Sequence, residues 1–349
     1  MHVSKTITTL SLSAATLLCS ASHVAAQVPI REWPVPYPDS RPRDPFVDSR
    51  NRVWFVGQKG NYLAYLEPAS GNFRRFELEE GTLPHNLVVD QKDRVWYAGN
   101  GNAHIGRLDP ESGKITKYPM PDPAARDPHT LVDDRKGNIW FTVQNGNFVG
   151  RLVKKTGKVD LIEVATANAR PYGIEVDSRG RPWFNEFGSN KIGTVDPATL
   201  RVKEYALPDD GARGRRIAIT SDDRIWYVDY ARGYLGRLDP TSGKFREWAL
   251  PGGVKALPYA MSADSKDRLW IVETGSQPNR LVGFDPKTEK FFGVTPIPSG
   301  GGTVRHMVFD DRSGQIWFGT DNNTIGRAQV NEVQAASLWV PVAHRRFGL

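Results

Sequence analysis

The stretch DPHTLVDDRKGNIWFTVQNGNFVGRL, residues 127–152, joins an apolar segment, a polar turn, a segment centred on Trp140, a second turn and another apolar segment. Tryptophans in the same setting recur at intervals of 42, 44, 43, 43, 44 and 47 residues: Trp54, Trp96, Trp140, Trp183, Trp226, Trp270 and Trp317. A repeat of this length, with four short strands and no helical periodicity, is typical of a propeller blade. The sequence therefore predicts an all-β protein, a seven-bladed β-propeller of four-stranded blades.

The N-terminal segment IREWPVPYP (30–38) indicates how the ring closes. It resembles the fourth-strand segment FREWALP (245–251) but has no blade before it, whereas the seventh repeat ends at TIGRAQV (324–330) without a fourth strand. We therefore expect residues 29–37 to complete the last blade, so that the propeller occupies residues 27–330. Residues 331–349 form a C-terminal tail without an assigned role.

Residues 1–26 have the pattern of an export signal. A short, weakly basic head precedes the apolar run Ile7–Leu18, and Val24 and Ala26 occupy the small-residue positions of a cleavage site. Cleavage after Ala26 would make the protein secreted or periplasmic and would remove Cys19, the only cysteine. No later segment approaches the roughly 20 apolar residues of a membrane helix, so membrane insertion is not expected.

Charge does not favour nucleic acid as a partner. The chain carries 46 Lys and Arg against 39 Asp and Glu, a formal net charge of +7, and has no basic run interleaved with aromatic residues.

Most repeated residues have structural explanations. Each repeated Trp is expected to pack between blades. The residue six positions before it is expected to hydrogen-bond its own turn; these residues are Asp48, Asp90, Asp134, Asp177, Thr220, Asp264 and Asp311.

Two rings of positions are candidates for a site, because the start of the first strand and the end of the second lie on the same face of a blade. The first ring, eleven residues before each Trp, contains Arg43, His85, His129, Tyr172, Arg215, Tyr259 and His306. The second, three residues after each Trp, contains Gly57, Gly99, Val143, Glu186, Asp229, Glu273 and Thr320. Both rings are expected to surround one pocket at the channel mouth, either as a functional site or as polar side chains that are simply solvated there.

The pocket divides into two halves with different chemistry. Blades 2 and 3 contribute His85, Asp127, His129 and Gln144. A neutral imidazole near a carboxylate suits a general base or a ligand to a hard divalent ion. The other half contains Glu186, Asp229 and Glu273 beside Arg213, Arg215 and Arg216, which is compatible with an ion-pair network or with a metal site.

At this level the sequence resembles the seven-bladed streptogramin B lyases, also called virginiamycin B lyases. The likeness runs along nearly the whole mature chain, as in RPYGIEVDSRGRPWFNEFGSNKIGTVDP (170–197). The resemblance implies an enzyme that linearises a cyclic depsipeptide antibiotic by elimination. In that family a histidine removes a proton next to the ester carbonyl, a bound magnesium ion stabilises the enolate, and the ester oxygen leaves.

The resemblance also implies roles for particular residues. His129 would be the proton acceptor, His85 a substrate contact, and Asp127 and Gln144 ligands to Mg²⁺. The sequence departs from the family pattern, since Asp127 replaces a longer Glu and Gln144 replaces an acid. The matching blades are the second and third here but the last two in the lyases. We expect the remaining substrate contacts to be Tyr172, Arg215, Tyr259 and His306.

Three functions remain open from the sequence. The first is an exported, monomeric lyase-like enzyme that opens the ester or lactone of a small molecule or cyclic peptide with Mg²⁺, as in antibiotic resistance. The second is a lactone hydrolase of the gluconolactonase type. The third is a periplasmic binding or scaffold propeller without turnover, in which the basic segment GARGRR (211–216) grips an anionic ligand.

Overall fold

The computed structural model describes residues 27–333, which form seven four-stranded antiparallel sheets and one short 3-10 turn at Gly253–Lys255. Strand β1 (Ile30–Pro34) precedes the first complete blade. Blade 1 then contains β2 (Pro42–Val47), β3 (Val53–Gly57), β4 (Tyr62–Glu67) and β5 (Asn72–Glu77). Blade 2 contains β6 (Pro84–Val89), β7 (Val95–Gly99), β8 (His104–Leu108) and β9 (Ile115–Pro119). Blade 3 contains β10 (Pro128–Asp133), β11 (Asn138–Val143), β12 (Phe148–Val153) and β13 (Val159–Glu163).

The remaining blades repeat this order. Blade 4 contains β14 (Pro171–Val176), β15 (Pro182–Glu186), β16 (Lys191–Val195) and β17 (Val202–Ala206). Blade 5 contains β18 (Gly214–Ile219), β19 (Ile225–Asp229), β20 (Tyr234–Leu238) and β21 (Phe245–Ala249). Blade 6 contains β22 (Pro258–Ala263), β23 (Leu269–Glu273), β24 (Arg280–Asp285) and β25 (Lys290–Pro296). Blade 7 contains β26 (Met307–Asp310), β27 (Gln315–Gly319), β28 (Thr324–Ala328) and, as its fourth strand, β1.

The ring is closed by the pairing of β1 with β28, which confirms the prediction made from residues 29–37. The antiparallel register runs from Ile30 opposite Ala328 to Pro34 opposite Thr324. Beyond the strand, the Val35 amide donates to the Asn323 carbonyl, and the Asn323 side-chain amide donates back to the Val35 carbonyl. The two ends of the propeller are therefore held together by a continuous run of hydrogen bonds.

The seven first strands line the central channel. Each contacts the first strand of the next blade, and β2 contacts both β6 and β26, so the inner wall is complete. Seven apolar clusters fill the seven interfaces between neighbouring blades. Trp54, for example, packs with Leu87 and Val89 of blade 2, and Trp317 packs with Phe55 of blade 1. This arrangement confirms that the repeated tryptophans lie between blades.

The turn between the first and second strands is built on the residue six positions before each Trp. Asp177 accepts hydrogen bonds from the amides of Arg179 and Arg181, the Arg181 guanidinium and the Trp183 indole. The prediction fails in blade 7, where Asp310 and not Asp311 accepts from the Ser313 amide. The turn carboxylate thus fastens the inter-blade tryptophan to its own blade.

The two terminal segments of the chain lie wholly or partly outside the described residues. The expected export signal, residues 1–26, falls there entirely, as does the tail beyond Val333. The described start of the tail packs on blade 6, where the Arg268 guanidinium donates to the carbonyls of Val330 and Val333. Within residues 27–333, no helix has the length and apolar character needed to cross a membrane.

Candidate functional site in the central channel

A β-bulge in the first strand positions the channel side chains. In blade 3, Pro128 pairs with Val143 and Leu131 with Phe141, so one extra residue stands between these two pairs on β10. The same irregularity occurs in the first strands of blades 1 to 6. Because a bulge re-aims side chains, the first-ring residue and the residue after it both contribute to the channel, as His129 and Thr130 do.

Two of the three histidines of the first ring come together. The imidazole centroids of His85 and His129 are 3.5 Å apart, and the ring of Tyr172 lies 4.4 Å from that of His129. His85 Nδ1 lies 3.2 Å from the His129 carbonyl oxygen, which can only accept, so Nδ1 carries the proton and Nε2 has a lone pair. His129 Nδ1 bonds to the Thr130 hydroxyl at 2.9 Å, which leaves its Nε2 for other partners.

Both imidazoles are neutral at physiological pH. Burial is the largest effect that lowers the pKa of His129, followed by the charges of Arg216 and Arg43. Burial and Arg43 likewise hold the pKa of His85 well below its usual value. A neutral imidazole can accept a proton, although its low pKa makes it a weak base.

A buried carboxylate, that of Asp44, acts on His129 by its charge, and neither predicted ring includes it. Asp44 accepts from the Asn86 side chain at 2.9 Å and from Arg43 Nε at 3.3 Å, and Arg216 Nη2 lies 3.6 Å away. Although burial raises the pKa of Asp44, the charges of Arg43 and Arg216 outweigh that effect and keep it well below its usual range. Asp44, Asn86, Thr130 and Arg216 all directly follow a first-ring residue, and that position is the signal that would have found them.

Arg215 occupies an aromatic box at the same site. Its guanidinium carbon is 3.6 Å from the ring centroid of Tyr259, 4.2 Å from that of Tyr230 and 4.8 Å from that of Phe187. The hydroxyls of Tyr172 and Tyr259 share a short hydrogen bond. Arg216, Arg215 and Arg43 together outweigh burial and lower the pKa of Tyr172. The predicted contacts Tyr172, Arg215 and Tyr259 are therefore one cluster.

A cavity of about 740 Å³ opens on the other face of the ring. The ends of the first strands line it, and it reaches inward as far as Asn86 and His306. Burial and the charge of Arg216 lower the pKa of His306 to about 4, whereas Asp44 opposes the shift. Glu175 also lines this cavity, and burial raises its pKa to about 7 against the opposing charge of Arg216. His306, a predicted substrate contact, thus lines the inner end of this second opening, where the charges of Arg216, Asp44 and Arg43 act on it.

Asp127 and Gln144 lie together at the end of blade 3, but Asp127 is engaged in the turn. Its carboxylate accepts from the Asn145 amide at 2.8 Å, the Asn145 side chain at 2.7 Å and the Gly146 amide at 3.2 Å. These donors satisfy both oxygens from within the β11–β12 turn. Gln144 is partly exposed beside them.

The second ring does not face the pocket, contrary to our expectation. Glu186, Asp229 and Glu273 are fully buried. Side chains alternate along the second strand, and this position faces the preceding blade. Val143 of blade 3 shows this, because it packs among residues of blade 2. Their partners also differ from those expected. Arg232 Nε pairs with Asp229 at 2.5 Å, and Arg280 pairs with Glu273. Arg215 and Arg216 point to the channel instead.

The donor set does not fit a magnesium site. In residues 27–333, no group of three or more His, Cys, Asp or Glu side chains is arranged to hold a metal ion. Asp127 is held by amides and Gln144 is neutral, whereas Mg²⁺ prefers carboxylate oxygens. Dependence on Mg²⁺ stays a prediction.

The chain is a closed seven-bladed propeller. Its candidate site for a reaction or for binding lies in the central channel, where histidines from two blades are in contact. The profile of the Virginiamycin B lyase family matches residues 19–281 and, in an overlapping match, residues 130–341. The chain therefore belongs to the virginiamycin B lyase family. A comparison with curated protein sequences finds no match.

Solved structures of this family are similar over the whole ring. A streptogramin B lyase structure is 26% identical, with a TM-score of 0.78 over 86% of this chain and 97% of that one. A catalytically inactive virginiamycin B lyase variant from Staphylococcus aureus with quinupristin is also 26% identical, with a TM-score of 0.78 over 86% of this chain and 99% of that one. An extracellular domain of a two-component system from B. thetaiotaomicron, 14% identical with a TM-score of 0.65, covers 87% of this chain and 43% of that one and shares the fold alone.

Proposed function

We propose that this chain is a carbon–oxygen lyase that opens an ester, in a cyclic peptide or a small molecule, by elimination with His129 as general base. The observation that carries the proposal is the contact of His85 and His129, brought from two blades to one place in the channel with their Nε2 atoms unbonded within the described chain. Membership of the virginiamycin B lyase family supports the same reaction class.

In the proposed reaction, His129 Nε2 takes the proton from a carbon next to a carbonyl group. The electron pair of that C–H bond becomes a C=C double bond, the adjacent C–O bond breaks, and the ester oxygen leaves with its carboxylate. This role requires the Nδ1–H tautomer of His129, with the Thr130 hydroxyl accepting from both His129 and Arg216 Nη1. The product is linear and has the mass of the substrate.

Positive charge near His129 assists this step. A carbon acid next to a carbonyl is too weak to give its proton to an unaided imidazole, so the developing oxyanion needs stabilisation. Arg215, stacked on Tyr259 in the same cluster, is the guanidinium that a substrate at the channel mouth would meet. As negative charge develops on the substrate, it also offsets the arginine charges that lower the pKa of His129.

We also propose where the protein is located and that it is a monomer. Residues 1–26 act as a cleaved export signal, and the mature chain works as a secreted or periplasmic monomer. Its partner is a small-molecule or cyclic-peptide ester, without nucleic acid and without membrane insertion. Reading the mature N-terminus by mass spectrometry tests the cleavage after Ala26.

The deciding experiment is mass spectrometry of a streptogramin B incubated with the purified protein. Elimination gives a linear product of unchanged mass, and His129→Gln is expected to lower its formation by about 100-fold or more, the usual effect of losing a general base. His104→Gln is the matched control, because His104 is a buried histidine of β8 outside the channel. Equal turnover by the His129→Gln variant and the wild type removes His129 from the mechanism. A parallel assay after EDTA treatment tests the dependence on Mg²⁺.

A second candidate is a ligand-binding propeller without turnover. It is favoured by the low exposure of the imidazoles, 6% for His85 and 3% for His129, which limits access to a substrate. Binding of the antibiotic without a product would support it. A product heavier by one water would instead support a lactone hydrolase.

A further inference from the structure

Several polar hydrogen-bonding atoms in the channel have no partner. Among the described residues, no hydrogen-bond acceptor meets Arg43 Nη2, Arg216 Nη2 or Arg215 Nε, and His306 Nδ1 is also unbonded. Arg43 is 5% exposed and Arg216 is 2% exposed, so surface water does not solvate them freely. Buried donors are rarely left unpaired, and charged donors least of all.

The other guanidinium nitrogens of Arg43 and Arg216 are held by hydrogen bonds. Arg43 Nη1 donates to Gln58 at 3.0 Å and Nε to Asp44 at 3.3 Å. Arg216 Nε donates to the Arg305 carbonyl at 3.0 Å and Nη1 to Thr130 at 3.1 Å. Each guanidinium is therefore fixed by two hydrogen bonds while its remaining Nη2 lacks a partner, which is the preorganised arrangement of a binding site.

The charge around these groups is unbalanced. Three guanidinium groups, those of Arg43, Arg215 and Arg216, share the channel, and within residues 27–333 only Asp44 pairs with them in ion-pair range. Arg216 Nη2 lies 3.6 Å from Asp44, too far for a hydrogen bond. Three guanidinium groups against one carboxylate leave two positive charges in excess. Buried charge is costly unless it is paired, so this excess favours an anionic ligand.

We propose that the channel binds an anionic group, a carboxylate or phosphate of a small molecule, between Arg43 and Arg216. Guanidinium groups suit this ligand because they donate in a planar fork to its oxygens. The ligand reaches them through the 740 Å³ cavity, whose inner end is formed by Asn86 and His306. Neither arginine lines the cavity itself. Asn86 is bonded to Asp44, which also accepts from Arg43, and Arg216 is bonded to the carbonyl of the residue before His306, so both arginines lie just beyond the inner end of the cavity. The proposal does not depend on turnover at His129.

The test is isothermal titration calorimetry of the full chain at low salt, with inorganic phosphate in one arm and acetate in the other. We expect saturable binding of at least one anion, and the preferred arm tells phosphate from carboxylate. Arg216→Met and Arg43→Gln should each weaken binding by about 10- to 100-fold, the usual effect of losing a charge-assisted hydrogen bond. Arg201→Met is the matched control, because Arg201 is exposed in the turn between β16 and β17, away from the channel.

Two outcomes overturn the proposal. One is no binding of either anion at millimolar concentration, and the other is an equal loss of binding in Arg201→Met, which would indicate general attraction to a basic protein. Should the channel variants fail to fold, a crystal of the wild-type protein soaked in bromide decides the matter. Anomalous scattering at Arg43 and Arg216 supports the site, whereas water alone there contradicts it.

Discussion

At the scale of single residues, the channel is governed by charges placed where water is scarce. Asp44 is the carboxylate around which Arg43, Arg216 and Asn86 are arranged. The positive charges of the two arginines lower the pKa values of histidines from three blades. The reactivity of His129 therefore depends on side chains from blades 1 and 5 as much as on its own strand. Substitutions at these arginines should change its pKa without touching it.

His306 gives a pH test of this charge arrangement. Burial and Arg216 lower its pKa from 6.5 to about 4, with Arg43 adding to the shift and Asp44 opposing it. Between these two pH values the unfolded chain binds more protons than the folded one, so the free energy of unfolding falls as pH drops from 6.5 to about 4. We expect His306 to account for about 2–3 kcal/mol of that loss. Urea unfolding at pH 7 and pH 4 should show a smaller loss for His306→Gln, and identical losses would contradict the assignment.

Asp177 gives a second test, of the turn that fastens each tryptophan. Asp177→Ala leaves the fully buried Trp183 indole N–H and two turn amides without acceptors. We expect the free energy of unfolding to fall by about 2–4 kcal/mol. The control Asp210→Ala, at an exposed carboxylate, should change it by less than about 0.5 kcal/mol. A cost for Asp177→Ala no larger than that of the control would refute the fastening role.

The sequence located the first ring but not its companions. The spacing from Trp was sufficient to place His85, His129 and Tyr172 in one channel. It did not include Asp44 or Thr130, because a one-residue bulge is a feature of backbone hydrogen bonding and leaves no clear mark in the side-chain pattern. The unpaired Nη2 atoms of Arg43 and Arg216 likewise depend on distances between blades, which spacing along the chain does not give.

At the scale of elements, five of the seven blades share one packing device. In these five blades, the aromatic residue after the repeated Trp lies close against a glycine of the third strand. A Cβ atom built on Gly150 would lie 2.0 Å from Phe141, and one on Gly193 would lie 2.2 Å from Phe184. The glycines of the segments VGR (149–151) and IGT (192–194) are thus required by this close approach. Strand order was predictable because these local contacts recur.

Gly193→Ala tests this device in blade 4. The added methyl group must displace the fully buried Phe184 ring, and we expect the free energy of unfolding to fall by about 1–3 kcal/mol or more. In the control Gly243→Ala, the turn residue has φ of +70° and no atom within 4 Å of its Cβ position. The control therefore isolates backbone strain, at roughly 1 kcal/mol. Urea unfolding curves measure both, and a smaller effect at Gly193 than at Gly243 would refute the packing argument.

The faces of the second strand were harder to predict than its existence. Glu186 and Glu273 were expected at the pocket because they are polar and end a strand. They face the preceding blade instead. Arg280 pairs with Glu273 there, and the Ser189 hydroxyl donates to one oxygen of Glu186. Polarity in the sequence does not distinguish a solvent-facing acid from a buried and paired one.

At the scale of the whole molecule, the composite seventh blade decides whether the ring holds. Trp33 on β1 stacks on Trp317 with centroids 5.5 Å apart, as Trp248 on β21 stacks on Trp226 at the same separation. The two contacts are equivalent in their blades, but only Trp33 belongs to a strand that joins the ends of the propeller. Glu32 reinforces that strand by accepting from the Ser299 amide and hydroxyl.

This pair of tryptophans allows a matched test of closure. Trp33→Ala should lower the free energy of unfolding by about 3–5 kcal/mol and make residues 27–37 sensitive to limited proteolysis. Trp248→Ala should cost less and leave the proteolytic pattern unchanged, because Trp248 is less deeply buried and its strand follows directly from its own blade. Equal costs and equal proteolysis would mean that β1 adds nothing beyond ordinary blade packing.

Because β1 pairs with β28, the first strand to be synthesised pairs with the last. The ribosome makes β1 before any complete blade and makes its partner after all the others, and Val35 and Asn323 are 288 positions apart in the sequence. The earliest strand must therefore wait, unpaired, until translation is almost complete. A nonsense codon anywhere before β28 would leave a product whose first strand never finds its neighbour, with open edges available for aggregation.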